Sequence, residues 1–385
     1  MYDDMTIGGS TTSLLSILNS IDYNRYEVDL LLYYNEGALF DKIPKQINIL
    51  PQASIFPPSA KGIKILRSIL AGDILRALYF GILIDKKIKI NMQAMVYARI
   101  TNSRRLDVDY DTAIGFLEGW SNVYVGLKAK AKNKIGWVHV DWKNSYLKSK
   151  IFDRAYAKLD TIVLVSQKCM NNYIDMFPKF KSKAVCIENI LLQRTIRTMA
   201  HDFNADLAID KTKINLVSVC RIEFHHKGLD RGIKAFAKLK EENLIENFRW
   251  YIIGDGSDLD KLKKMITENI LDKFITVLGP RNNPLPYVAL MDMFFLPSRY
   301  EGKPMAVTEA QMLGVPALVT AYASAEEQIE NGIDGIILEN TDDAVYAGLK
   351  KIIDGKNKIN VMKQKAYNRD YSNKEVIEDI YNIVG

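Results

Sequence analysis

The stretch Pro297-Ser298-Arg299-Tyr300-Glu301-Gly302-Lys303-Pro304-Met305-Ala306-Val307-Thr308-Glu309-Ala310 decides the reading of this chain. The residues just before it, Met293-Phe294-Phe295-Leu296, are all apolar and predict a buried strand. Pro304 suits the first turn of a helix, where its missing N–H costs nothing. Gly314 is placed to close that helix. Glu301 therefore falls at the carboxyl end of a strand, and Glu309 lies about a turn inside the helix that follows. In an open α/β sheet that edge is where ligands bind. Helix-start N–H groups between the carboxylates suit a phosphate, and the carboxylates suit hydroxyl groups, which a sugar supplies in quantity. A solvated helix start would use the same residue types.

Working outward, the second half alternates strand and helix patterns. Strands are expected at Ile214–Val219, Arg249–Ile253, Ile275–Leu278, around Phe294, at Val315–Thr320 and at Gly335–Leu338. Helices are expected at Gly228–Lys240, Leu259–Glu268 and Pro286–Leu290. The first half alternates likewise: a helix from Thr11 to Ile21 opened by Gly8-Gly9-Ser10, and strands at Val28–Tyr33, Tyr110–Phe116, Ile135–Val140 and Thr161–Val165. Helices are read at Ile151–Leu159 and Gln167–Phe177. Such alternation predicts parallel sheets covered on both faces, hence an α/β chain of two doubly wound, Rossmann-like domains. The expected division is residues 1–190, a polar and irregular linker over 191–213, a second domain over 214–370, and a final helical segment over 371–385.

One feature departs from this scheme. A glycine-rich turn at Gly8-Gly9 should follow an apolar strand, yet only the polar Met1–Met5 precedes Thr6. The central strand of the first sheet is expected to be missing or stunted, either because the true start lies upstream or because the chain has been trimmed.

Charge and composition narrow the function. Residues 1–190 hold 26 basic and 18 acidic residues, a net +8, and residues 191–385 hold 26 and 28, a net −2. The basic excess gathers at Lys86, Lys87 and Lys89, at Arg104 and Arg105, and at Lys128, Lys130, Lys132 and Lys134. The segment Lys61–Leu78 is basic and amphipathic. These features suit peripheral contact with anionic headgroups or an anionic acceptor, and equally suit an ordinary solvated face. No nucleic-acid module accompanies the charge. Cys169, Cys186 and Cys220 form no Cys-x-x-Cys pair and read as reduced thiols of a cytoplasmic protein, at or near the inner face of the plasma membrane. Four His and no cysteine cluster argue against a zinc site.

The Glu301/Glu309 motif resembles the paired-glutamate motif of retaining GT-B glycosyltransferases, in the large family 4. Further pieces match in order: Val219-Cys220-Arg221, Lys227-Gly228, Gly254-Asp255-Gly256 and Gly279-Pro280-Arg281. The resemblance implies a GT-B fold, its two domains facing across a cleft and its last helix crossing back to the first domain. It implies a nucleotide-diphosphate sugar donor, UDP-linked by family frequency, and a glycan or lipid-linked acceptor in capsule or other surface-polysaccharide assembly. Arg221 and Lys227 would grip the diphosphate and stabilise the leaving nucleotide. Glu301 would bind hydroxyls of the transferred sugar and Glu309 those of the ribose. The backbone around Lys303, Pro304 and Met305 would meet sugar and phosphate. Gly254 would belong to the donor turn, and Arg281 would stack on the base. Gly8 and Gly9 would let backbone N–H groups approach phosphate or acceptor. His139 would lie close to the reacting sugar, although a buried, satisfied histidine reads the same. Glu118 resembles an acceptor-side position and a candidate base, and would serve equally as a helix cap or a lysine's partner. No metal or other cofactor is expected, since the two cations take over the role of one. A hydrolase, phosphorylase or epimerase on the same fold, and a non-catalytic relative that binds nucleotide sugar or scaffolds a glycan-assembly complex, remain open. The segment Ala321-Tyr322-Ala323-Ser324-Ala325 lacks the glycines common there in the family.

Overall fold

The computed structural model describes residues 1–6, 8–55, 96, 99–144 and 150–385. The basic amphipathic segment around Lys61–Leu78 and the cluster at Lys86, Lys87 and Lys89 lie outside the described residues. The chain divides into two compact units. Met1–Glu188 with Ile377–Gly385 form one, and Asn189–Val376 form the other.

The second unit carries a six-stranded parallel sheet. Its strands are β7 (Ile214–Val219), β8 (Phe248–Ile253), β9 (Ile275–Gly279), β10 (Met293–Leu296), β11 (Ala317–Thr320) and β12 (Gly335–Leu338), in the order β12-β11-β10-β7-β8-β9. The order reverses between β7 and β10, so the loops after those two strands flank the switch point, where open α/β sheets bind ligands. All four residues of β10 are buried, as a strand covered on both faces requires. On one face Trp250, Phe236 and Phe295 pack with Leu229 and Ile233 of the helix Leu229–Glu241. On the other, Phe294 and Leu296 pack with Val307 and Ala310 of the helix Met305–Met312.

The stretch 191–213, read from its polarity as a linker, belongs to this unit. Gln193–Met199 is helical, and Ile196 and Ala200 are buried against Leu285, Met305 and Met312. Two apolar residues four positions apart give that short helix one core-facing stripe.

The first unit carries β3 (Asp109–Gly115), β4 (Lys130–Val138), β5 (Thr161–Leu164) and β6 (Ala184–Cys186) as a parallel sheet, in that order. A parallel pair, β1 (Asp29–Leu30) and β2 (Asn48–Ile49), lies apart from it. Met1 and Tyr2 stand between them. Phe116 N–H donates to the Met1 carbonyl and Tyr2 N–H to the Leu31 carbonyl, both at 3.0 Å, and Tyr2 bridges Leu32 in parallel. Met1 and Tyr2 thus supply backbone pairing on both sides without forming a full strand. Burial there lowers the Met1 amino group to about 5. The helix Val376–Val384 ends in this unit: the Tyr381 hydroxyl accepts from Asp22 N–H at 2.8 Å, and the Val384 carbonyl accepts from Thr112 Oγ1 at 2.9 Å.

Candidate active site

The loops after β7 and β10 bring two of the expected donor-side residues, Lys227 and Glu301, together. After β7 the chain makes a short helix, Phe224–Lys227, that stops on Gly228. Gly228 has φ +60°, and a Cβ there would sit 2.2 Å from the Pro297 carbonyl oxygen. Only glycine lets the turn after β7 close against the loop after β10. That closure delivers the Lys227 ammonium to the Glu301 carboxylate, 2.6 Å from Oε1 and 2.8 Å from Oε2. Ser298 Oγ, fully buried, donates to the same Oε1 at 2.6 Å. Glu301 is thus held on two sides, with 9% of its side chain exposed and 22% of the Lys227 side chain.

The same loop is fixed at its back. Arg299 forms a two-pronged ion pair with Asp230, both contacts at 2.8 Å. The buried Arg231 guanidinium reaches Asp342 at 2.9 Å and Asn340 at 2.7 Å, and Asn340 Nδ2 donates to the Arg299 carbonyl at 3.0 Å. Sequence reasoning missed these partners, because an arginine in a helix, as Arg231 is, usually reads as solvated and the pairings join residues far apart in the chain.

Arg221, at the end of β7, is exposed and forms no ion pair among the described residues. It is a cation available to an anionic ligand, whereas Lys227 is already engaged by a carboxylate. Its neighbour Cys220 is unreactive, since burial pushes the thiol up to about 12.

Pro304 caps the helix Met305–Met312 rather than occupying its first turn, with φ −68° and ψ 112°. Met305 is buried and Lys303 half-buried. Glu309 lies in the second turn, half-buried and without a side-chain partner among the described residues. Burial alone pushes its carboxyl up to about 7. A carboxylate desolvated but unpaired is poised to accept hydroxyl hydrogen bonds.

The remaining donor-side expectations land differently. Gly254 N–H donates to the Gly279 carbonyl at 3.0 Å, joining the turns after β8 and β9. Arg281 lies 5.4 Å from the Tyr287 ring centroid and its Nε donates to the Tyr287 hydroxyl at 3.2 Å. It therefore already has an aromatic partner within its own unit. Tyr287 in turn donates to Asp206. His225 and His226, beside Lys227, make ring contacts with Tyr300 at 5.5 and 6.2 Å. Burial holds the His226 imidazole below the usual histidine range. The adjacent pair, in a chain with only four histidines, was the sequence signal for this corner.

In the first unit Gly8 precedes the helix Gly9–Ser20 with an ordinary extended φ of −179°. A side chain at Gly9 would meet nothing within 4 Å. Glu118 and His139, after β3 and β4, come together: His139 N–H donates to Glu118 Oε2 at 3.0 Å. Burial lowers the His139 imidazole to about 4, opposed by a hydrogen bond with the Phe116 backbone, so the ring is neutral at pH 7. Its Nε2 is shielded and has no partner among the described residues. The cluster from Lys128 to Lys134 is largely engaged. Lys132 pairs with Asp111 at 2.7 Å and Lys130 with Asp107, while Lys128 donates to the Ile100 and Ser103 carbonyls at 2.6 and 2.8 Å. Among the described residues no group of three or more His, Cys, Asp or Glu is gathered as a metal site. No helix among them is long and apolar enough to cross a membrane.

Residues 200–369 match the family model for glycosyl transferases group 1. The chain is 31% identical over 145 residues to the UDP-Gal:alpha-D-GlcNAc-diphosphoundecaprenol alpha-1,3-galactosyltransferase of Escherichia coli, covering 37% of each chain. It is 26% identical over 230 residues to the N-acetylgalactosamine-N,N'-diacetylbacillosaminyl-diphospho-undecaprenol 4-alpha-N-acetylgalactosaminyltransferase of Campylobacter jejuni, covering 59% of this chain and 60% of that one. The match thus spans less than two thirds of the length of either relative. The structure of Anabaena Alr3699/HepE in complex with UDP and glucose superposes over 99% of this chain and 98% of its own, with a TM-score of 0.70 at 14% identity. The fold is GT-B.

Proposed function

We propose that this chain, whose residues 200–369 match the family model for glycosyl transferases group 1, moves a sugar from a nucleotide diphosphate donor, a UDP-sugar first, to a glycan or lipid-linked acceptor in surface-polysaccharide synthesis, with retention of configuration. The observation that carries the reading is the Lys227–Glu301–Ser298 cluster at the switch point of the second sheet, with unpaired Arg221 and Glu309 in the same family-matched segment. The printed names of relatives that act on diphospho-undecaprenol-linked sugars support the acceptor class.

Each group has work that its environment suits. Glu309 takes the ribose hydroxyls, because a desolvated carboxylate gains most from a donor that arrives with the ligand. Glu301, its position fixed by Ser298 and Lys227, takes hydroxyls of the transferred sugar. As the glycosidic bond breaks, negative charge grows on the departing diphosphate. Arg221 meets it directly, and Lys227 is shared between it and Glu301. Those two cations supply the charge that a divalent ion would otherwise bring, so the transfer runs without one. In the first unit, neutral His139 lies close to the reacting sugar and Glu118 is the acceptor-side candidate base.

A thermal-shift screen with UDP, GDP and ADP in excess EDTA tests this, followed by product NMR with the matching sugar nucleotides. A nucleotide at 100 times its dissociation constant stabilises by about 2.7 kcal/mol. Absence of any shift, or turnover that requires added Mg²⁺ or Mn²⁺, overturns the reading.

A further inference from the structure

The loop after β11, the one without the family's glycines, grips the glutamate loop by side chains at four points. β10 and β11 are parallel neighbours in register, Leu296 beside Val319, so their following loops leave the sheet side by side. Thr320 Oγ1 donates to the Ser298 carbonyl, and Ser324 Oγ to the Gly302 carbonyl. Gln328 Nε2 donates to the Pro304 carbonyl at 2.8 Å and to Thr308 Oγ1 at 2.7 Å. Gln328 Oε1 is itself fixed by the Tyr322 hydroxyl at 2.7 Å. Thr320 and Ser324 are fully buried, and Tyr322 and Gln328 nearly so.

We propose that Ser324 and Gln328 are positioning residues that set the donor-sugar pocket, and thereby its choice among sugars, by orienting the backbone from Gly302 to Met305. A trans peptide points its carbonyl and the next N–H to opposite sides. With the Ser298, Gly302 and Pro304 carbonyls drawn to the β11 loop, the N–H groups of Arg299, Lys303 and Met305 turn the other way. The first of these fits, since Arg299 N–H donates to the His226 carbonyl at 2.7 Å, toward the turn that carries Lys227. The other two flank Pro304, in the segment assigned above to sugar and phosphate. A glycine pair in the β11 loop would supply no side-chain donor for this, so the grip belongs to this chain's own residues. The inference rests on the donor reading above.

The experiment compares Ser324→Ala, Ser324→Thr and Gln328→Glu with wild type. Calorimetry measures free UDP (or GDP or ADP, whichever shifts the wild type), and steady-state kinetics measures glucose and galactose donors of that nucleotide. Gln328→Glu keeps the size and the acceptor for Tyr322 but loses donation to Pro304 and Thr308. Ser324→Ala and Gln328→Glu are expected to raise donor KM about tenfold and to change the glucose/galactose selectivity at least threefold. Free-nucleotide affinity should fall by much less than donor KM rises, because Arg221 and Glu309 still hold the nucleotide, and Ser324→Thr should restore the wild-type KM. Unchanged KM and selectivity in both variants overturn the inference and leave the transferase reading standing. Equal weakening of free nucleotide and sugar nucleotide overturns it too, marking the loop as merely structural. A wild type that binds no nucleotide overturns both.

Discussion

Replacing Glu309 by Gln separates the cost of the buried charge from its use. The carboxyl titrates near 7 rather than at its ordinary 4.5, through burial. A raised carboxyl pKa means that the folded chain holds its proton more tightly than the unfolded chain. No penalty exists below about 4.5. The penalty grows as pH rises and levels off above about 7. A shift of that size corresponds to on the order of 3 kcal/mol, and water reaching the half-buried side chain reduces it to roughly 1–2 kcal/mol. Glu309→Gln keeps the shape and removes the charge. It should match wild type in stability at pH 5 and exceed it at pH 8, by about 2–6 °C in melting temperature for a unit of this size. Nucleotide binding should move the opposite way. Wild-type affinity should climb through pH 7 as the carboxylate forms, whereas Glu309→Gln should bind more weakly by about 1.5–3 kcal/mol at pH 8 and show a flatter profile. Melting curves and calorimetry from pH 5 to 8 provide both readouts. Parallel melting profiles refute the raised pKa. A stability crossover with no change in nucleotide affinity refutes the ribose assignment.

Gly228→Ala places a methyl group 2.2 Å from a backbone oxygen at φ +60°, and should destabilise by on the order of 3 kcal/mol. Gly279→Ala meets nothing within 4 Å at φ +73°, and should cost only the conformational term of about 1–2 kcal/mol. Equal urea midpoints for the two would deny the close approach of the β7 and β10 loops. The +8 balance of residues 1–190 motivates salt-reversible binding to anionic vesicles, at about 1 kcal/mol per basic residue near the surface. Replacing Lys61, Lys64, Arg67 and Arg76 with Gln should release the protein, and a wild type that fails to sediment with anionic lipid at low salt sinks that proposal.

The second sheet was legible because its inner strands are buried on both faces and read as apolar runs; Ile214–Val219 and Gly335–Leu338 fell on the expected residues. The helix Lys356–Asn368 was not, since Ile359, Met362 and Ala366 supply a thin buried stripe among lysines and asparagines. The first sheet's central strand read as missing or stunted because the stretch from Met1 to Met5 is polar, but the bonds that Met1 and Tyr2 make are backbone bonds, which leave no trace in residue types. In the site, the individual charges were legible and their pairing was not. Lys227 and Glu301 lie 74 positions apart, and only the crossover that sets β7 beside β10 joins them. That pairing alters the chemistry read from either residue alone. Lys227 is not a bare cation awaiting phosphate, and Glu301 is not a free acceptor. On the proposed function, a diphosphate approaching Lys227 would withdraw part of the ammonium from Glu301, and the carboxylate would then take donors from the sugar on the same ligand. Nucleotide without sugar would leave that demand unmet, so the proposal expects the paired cluster to favour the intact donor over its product. Arg221, free of such a partner, has no comparable preference.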